Sequence, residues 1–239
     1  MDLFESARIT HVLVGTVVLA SFWGAGLARK GGTTHRFVGR IYVAAMAALL
    51  SVTLVMSGGM VKAGTPMRAV FDVYVSLISV ASVWMAWRSI VDKRDIRRYL
   101  GWPYKLICVA LAAYGLFLLA MVPRMGIPAR MAMVSAFAVL GLSIAAAMTW
   151  RIVRGADDAR WWLSEHLTAM GINFAATHAS FSILAGSVII PELRDPWVRT
   201  FVLVAWMASA LVVRLWAGRR FLDGVEGAVR RQPPAATLA

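Results

Sequence analysis

The chain carries four histidines, and each sits on or beside a stretch apolar enough to cross a membrane. His11 opens the first apolar run, His35 precedes the second, and His166 and His178 lie at the start and in the middle of the sixth. An ionisable side chain is costly inside hydrocarbon, so each is a candidate for chemistry. A neutral imidazole can ligate a metal or haem iron, carry a proton, or hydrogen-bond across helices. Taken by depth, the four fall into two levels. An inner pair, His35 with His166, and an outer pair, His11 with His178, would stack two bis-histidine b-type haems and pass electrons across the bilayer. Depth opposes the outer pair. His11 belongs at the outer end of its span, whereas His178 belongs near the midplane, ~18 Å from the inner edge at ~1.5 Å per residue.

A carboxylate offers a second arrangement. Asp72 lies near the outer end of the third run, at a depth close to that of His11, and needs a partner there. His11, Asp72 and His178 together make a ligand set suited to a transition metal, although no two of them share a helix. A seven-span lipid hydrolase would use such ligands to activate water, but the HxxxH pairing on one helix is absent. The competing class is non-enzymatic: a sensor, a small-molecule binder, a homo-oligomer or an accessory subunit of a membrane complex. In that class the histidines are hydrogen-bonded bundle residues.

The elements that must position these residues follow from composition. Of 239 residues, 60% are hydrophobic and 15% charged, and the mean hydropathy is +0.70. Crossing ~30 Å of hydrocarbon takes about 20 apolar residues in a helix. Seven runs qualify, at roughly 9–28, 39–61, 69–90, 103–122, 128–150, 167–190 and 197–217. The expectation is an all-α integral membrane protein with one seven-helix domain over 1–229. The tail from Arg230, RRQPPAATLA, is expected to be disordered. The acidic residues in MDLFESARIT do not suit a cleaved signal, so the first run is expected to remain as a helix. A single cysteine, Cys108, allows no internal disulfide.

A net charge of +13 would suggest nucleic acid in a soluble protein, but its placement gives another reading. Arg29, Lys30, Arg36, Arg40, the Lys93–Arg98 cluster, Arg151, Arg154 and Arg219–Arg220 all fall on one side of the seven spans. The positive-inside bias therefore predicts N-out, C-in, with anionic lipid rather than nucleic acid as the basic partner. Most tryptophans stand near that same boundary, as an aromatic belt.

Local signals mark the helix ends. Pro103, Pro128 and Pro196 open spans four, five and seven, Gly31-Gly32 supplies a turn, and Thr34 is the expected cap of span two. Asp157-Asp158 is a candidate cap for a brief interfacial helix through Trp161 and Trp162. In span six the row Gly171, Ala175, Ala179, Ser182, Gly186 predicts a close helix contact and a central position; Gly15, Gly24 and Gly26 predict a less regular one for span one.

Arg29-Lys30-Gly31-Gly32, followed by His35-Arg36, Gly39-Arg40 and Tyr42, resembles the hallmark of bacterial membrane proteins grouped as domain of unknown function family 2306. His11 with Gly15, and the segment Trp162 to His166, resemble further parts of that family. The likeness covers about 9–46 and, more loosely, about 160–182. It implies a multi-span protein of the bacterial inner membrane and transfers no activity or cofactor. Its motif residues are His11, Lys30, Gly31, His35, Arg36, Gly39, Arg40 and His166. A separate reading of the first loop makes Arg36 and Arg40, beside the N-terminus of span two, a candidate site for a lipid phosphate or small anion.

Overall fold

Prolines and turn glycines punctuate the chain as its backbone preferences require. Pro66, Pro103, Pro128 and Pro196 each stand in the first turn of a helix, where a missing N–H removes no intrahelical bond. Gly31 takes φ 74° between the first two helices, a conformation that disfavours any side chain. In the computed structural model, which describes residues 3–156, 158–184 and 186–223, the helices are α1 (Leu3–Leu27), α2 (Thr33–Lys62), α3 (Pro66–Val91), α4 (Ile96–Tyr99), α5 (Trp102–Met121), α6 (Pro128–Arg154), α7 (Trp161–Leu184), α8 (Gly186–Ile189) and α9 (Pro196–Gly218).

Seven of these are long and apolar enough to cross a membrane, one for each expected span. Their ends differ from the apolar runs. α2 begins at Thr33 and α7 at Trp161, so His35 and His166 lie inside helices rather than ahead of them. The physical reason is that apolar composition marks hydrocarbon depth, while a helix continues through the headgroup zone. Trp161 and Trp162 accordingly open α7 itself and form no separate helix. Thr34 is not a cap: α2 is entered from Gly32 in extended conformation, with no side-chain capping bond. Asp157 and the tail from Arg230 lie outside the described residues.

α3, not α7, is the helix most enclosed by others. Half of its membrane-crossing window is buried (50%), against 33% or less for the other six. It packs on α2, α5, α6 and α7, while α7 packs on α1, α3 and α9. The α3–α7 contact contains a buried polar bond: Ser82 Oγ donates to Asn173 Oδ1 at 3.0 Å, and Asn173 Nδ2 donates to Ala169 O at 2.9 Å. Gly171 and Ser182, from the small-residue row of α7, both meet α9. On α1, Gly15 and Gly24 face Leu49 and Val38 of α2.

One end of the bundle gathers the C-termini of α1, α3, α6 and α9 with the N-termini of α2, α5 and α7, and will be called the basic end. There Asp92, fully buried, pairs with Arg88 at 2.6 Å and Arg98 at 3.3 Å, and Asp95 caps α4 by accepting from the N–H groups of Arg97 and Arg98.

On the far side of α3, glycines of α5 and α6 make room for one ring. Tyr74 is fully buried, donates to Ala138 O at 3.3 Å, and occupies the space that a Cβ on Gly115 or Gly141 would fill. Overpacking of this kind costs about 1–3 kcal/mol. Gly141→Ala is therefore expected to lower the thermal unfolding midpoint in detergent, whereas Gly58→Ala, in open space on α2, should leave it unchanged or raise it. Equal midpoints for the two variants would show that Tyr74 does not need the slot.

Candidate functional site

Two of the four histidines stand at the basic end. His35, in the first turn of α2, donates from Nδ1 to Ala25 O of α1 at 2.9 Å. His166, in the second turn of α7, donates from Nδ1 to Ala86 O of α3 at 2.9 Å. A carbonyl can only accept, so in both rings the proton is on Nδ1 and the Nε2 lone pair is left for another partner. No described residue hydrogen-bonds to either Nε2. Both rings are half-buried, and His35 and Lys30 lie close enough for their charges to act on His166. Both histidines stand at the end where α1, α2, α3 and α7 come together, each tied to a different carbonyl.

Lys30 joins the same cluster from the turn. Its Nζ donates to Ala25 O and Gly26 O, carbonyls in the last turn of α1 that lack helical partners. Partial burial there pushes its ammonium down from the ordinary lysine value. Arg36 and Arg40 project from α2 as exposed side chains. The neighbouring Glu165 does not orient His166. Its carboxylate accepts from Arg151 Nε at 2.9 Å and from the Tyr99 hydroxyl at 3.0 Å, closing α6 and α4 onto α7. Burial first, and then the Glu165 charge, push the Tyr99 phenol well above its usual range, so it remains a donor.

The expected outer pair is not brought together. His178 Nε2 accepts from Trp23 Nε1 at 2.9 Å, and its Nδ1 donates to Phe174 O at 2.7 Å. Both nitrogens are used, and the ring is packed among Phe22, Trp23, Phe174 and Trp206 at centroid distances of 4.3–5.8 Å. His11 lies ~18 Å along α1 from Trp23 at ~1.5 Å per residue, with Nδ1 3.3 Å from Thr53 Oγ1 of α2. Asp72 has no hydrogen bond to His11, and Arg68 is the charge acting on it. The set His11, Asp72, His178 therefore does not assemble: among the described residues no group of three or more His, Cys, Asp or Glu is placed to hold a metal ion. The reason is rotational, because depth along a helix does not fix which neighbour a side chain faces.

The residues that decide the state of His178 were not legible in the sequence. Trp23 and Trp206 both contact His178. Searches against known family models, curated proteins and solved structures found no match.

Removing one partner from the Trp23–His178 bond leaves a buried polar nitrogen unsatisfied, at a cost of about 1–3 kcal/mol. Trp23→Phe and His178→Phe are each expected to lower the unfolding midpoint, and the double variant to lose less than the sum of the two. Strict additivity in this double-mutant cycle would mean that the bond contributes nothing to stability.

Proposed function

We propose that this chain is a bacterial inner-membrane protein that holds one b-type haem between His35 and His166 at its basic end and exchanges electrons there. The observation that carries the reading is the two imidazoles fixed through Nδ1–H to main-chain carbonyls, with neither Nε2 hydrogen-bonded to a described residue, as ligating histidines are held. The number of ligands favours haem over a bare ion. Haem iron asks only two axial ligands of the protein, whereas a structural zinc asks about four. Charge favours it as well. Lys30, Arg36 and Arg40 would repel a dication but suit the two propionates of a haem. With His178 saturated by Trp23 and Phe174, the proposal has one redox centre at one face rather than a stacked pair, so its electrons come from or go to a membrane-complex partner or a mobile carrier.

A second reading has its own support: His35 and Lys30 both serve the terminal carbonyls of α1, which is a capping role that needs no cofactor. The visible spectrum of protein purified in mild detergent from iron-supplied cells separates the two. The haem reading expects a Soret band that shifts on reduction, lost in His35→Ala and in His166→Ala and kept in His178→Ala. A colourless wild-type protein, with haem loss during purification ruled out, would leave the capping role and a binder or accessory function.

We further propose the orientation N-out, C-in, from the concentration of Arg and Lys at the basic end. In a Cys108→Ser background, Thr65→Cys is expected to react with a membrane-impermeant maleimide in intact cells, and Arg97→Cys only after permeabilisation. The reverse pattern would invert the orientation and put the histidine pair outside.

A further inference from the structure

A second place in the molecule combines an apolar groove with a charge that forms no ion pair among the described residues. α3, α6, α7 and α9 line an open groove of about 230 Å³ whose walls are almost entirely carbon, from Val75 and Ile78 of α3 and Phe137 of α6 to Ala176 and Met207 of α7 and α9. The groove exists because α7 and α9 offer small side chains where they meet: Gly171, Ala175 and Ala210 leave space that larger residues would fill. At its basic end stands Arg214. The guanidinium donates from Nε to Thr168 Oγ1 at 2.9 Å and from Nη2 to Ser164 Oγ at 3.0 Å. Both acceptors are hydroxyls. No carboxylate forms an ion pair with Arg214 among the described residues, and Glu165 acts on it only through space, its own oxygens being taken by Arg151 and Tyr99.

A guanidinium has five N–H groups in a planar fork, so three remain after the two hydroxyls are served. Arg214 lies ~27 Å along α9 from Pro196 at ~1.5 Å per residue, which places it near one edge of a ~30 Å hydrocarbon layer. An anion at that level with a hydrocarbon chain attached would satisfy the fork and fill the groove together. We propose that this groove is a binding site for an anionic phospholipid, its phosphate on Arg214 and one acyl chain running between α7 and α9 toward Val75 and Leu203. The hydroxyls of Ser164 and Thr168 hold the guanidinium in place before the lipid arrives, so little side-chain freedom is lost on binding. The site is separate from the histidine pair and does not depend on a haem.

Photolabelling tests this directly. The full chain in nanodiscs is exposed to phosphatidylglycerol with a diazirine on one acyl chain, or to the phosphatidylcholine analogue, and labelled residues are located by peptide mass spectrometry. Phosphatidylglycerol is expected to label the groove residues Ile172, Ala176 and Met207 above the lipid-facing background, and phosphatidylcholine to do so at least roughly fivefold less. Arg214→Gln should reduce the phosphatidylglycerol signal roughly tenfold, the size of a lost charge-assisted hydrogen bond, while Arg214→Lys keeps part of it. Ala176→Phe should block labelling by filling the groove, with Leu211→Phe, on the exposed rim, as the matched control. Equal labelling by both lipids, or a signal indifferent to Arg214, would overturn the proposal. So would protection of the groove by a second copy of the chain, seen as labelling that falls as protein density in the disc rises.

Discussion

A chain that crosses a bilayer has no water to satisfy its polar groups, so each buried donor or acceptor must find a partner inside the protein. Here that requirement converges on α3. It takes Asn173 of α7 through Ser82, receives the Nδ1 proton of His166 on Ala86 O, and sends Tyr74 to Ala138 O of α6. Apolar side chains do not choose between lipid and a neighbouring helix as strongly as they choose between water and a core. Directional bonds and close steric fit therefore set the arrangement, and α3 and α7 between them carry many of these bonds. α2 and α9 take large contacts with α3 and α7, while α1 and α6 pack mainly on α2 and α5.

How far this was legible in the sequence varies with the physical quantity involved. Span number follows from run length, and all seven helices are present. Helix starts at Pro103, Pro128 and Pro196 follow from a backbone constraint that no tertiary contact overrides. The central helix was misplaced because small residues in a row are only one route to enclosure. α3 reaches it with Ser76, Ser82 and Ser89, together with glycines that belong to its neighbours.

The candidate site shows the same division. Position along the chain puts His35 and His166 near helix starts at the same end of the bundle, as the helix bounds show. It could not reveal that His178 is committed on both ring nitrogens, because that depends on Trp23 being turned toward it. Nor could it separate Arg214 from the other basic residues of that boundary. Charge count treats all of them alike, and only the groove beside this one makes it different.

The bond from Trp23 to His178 has one more consequence. α1 is apolar around most of its circumference, and its crossing window is the least buried of the seven, at 17%. Nothing in its hydrophobicity tells it which side to turn inward. Rotating it by a single residue, ~100° at about 3.6 residues per turn, would carry the indole away from the imidazole and break the bond between Trp23 Nε1 and His178 Nε2. The hydrogen bond therefore acts as a key that selects one azimuth for an otherwise featureless cylinder. In doing so it also keeps Ala25 beneath His35, so the geometry of the histidine pair is indexed from a point deeper in the membrane.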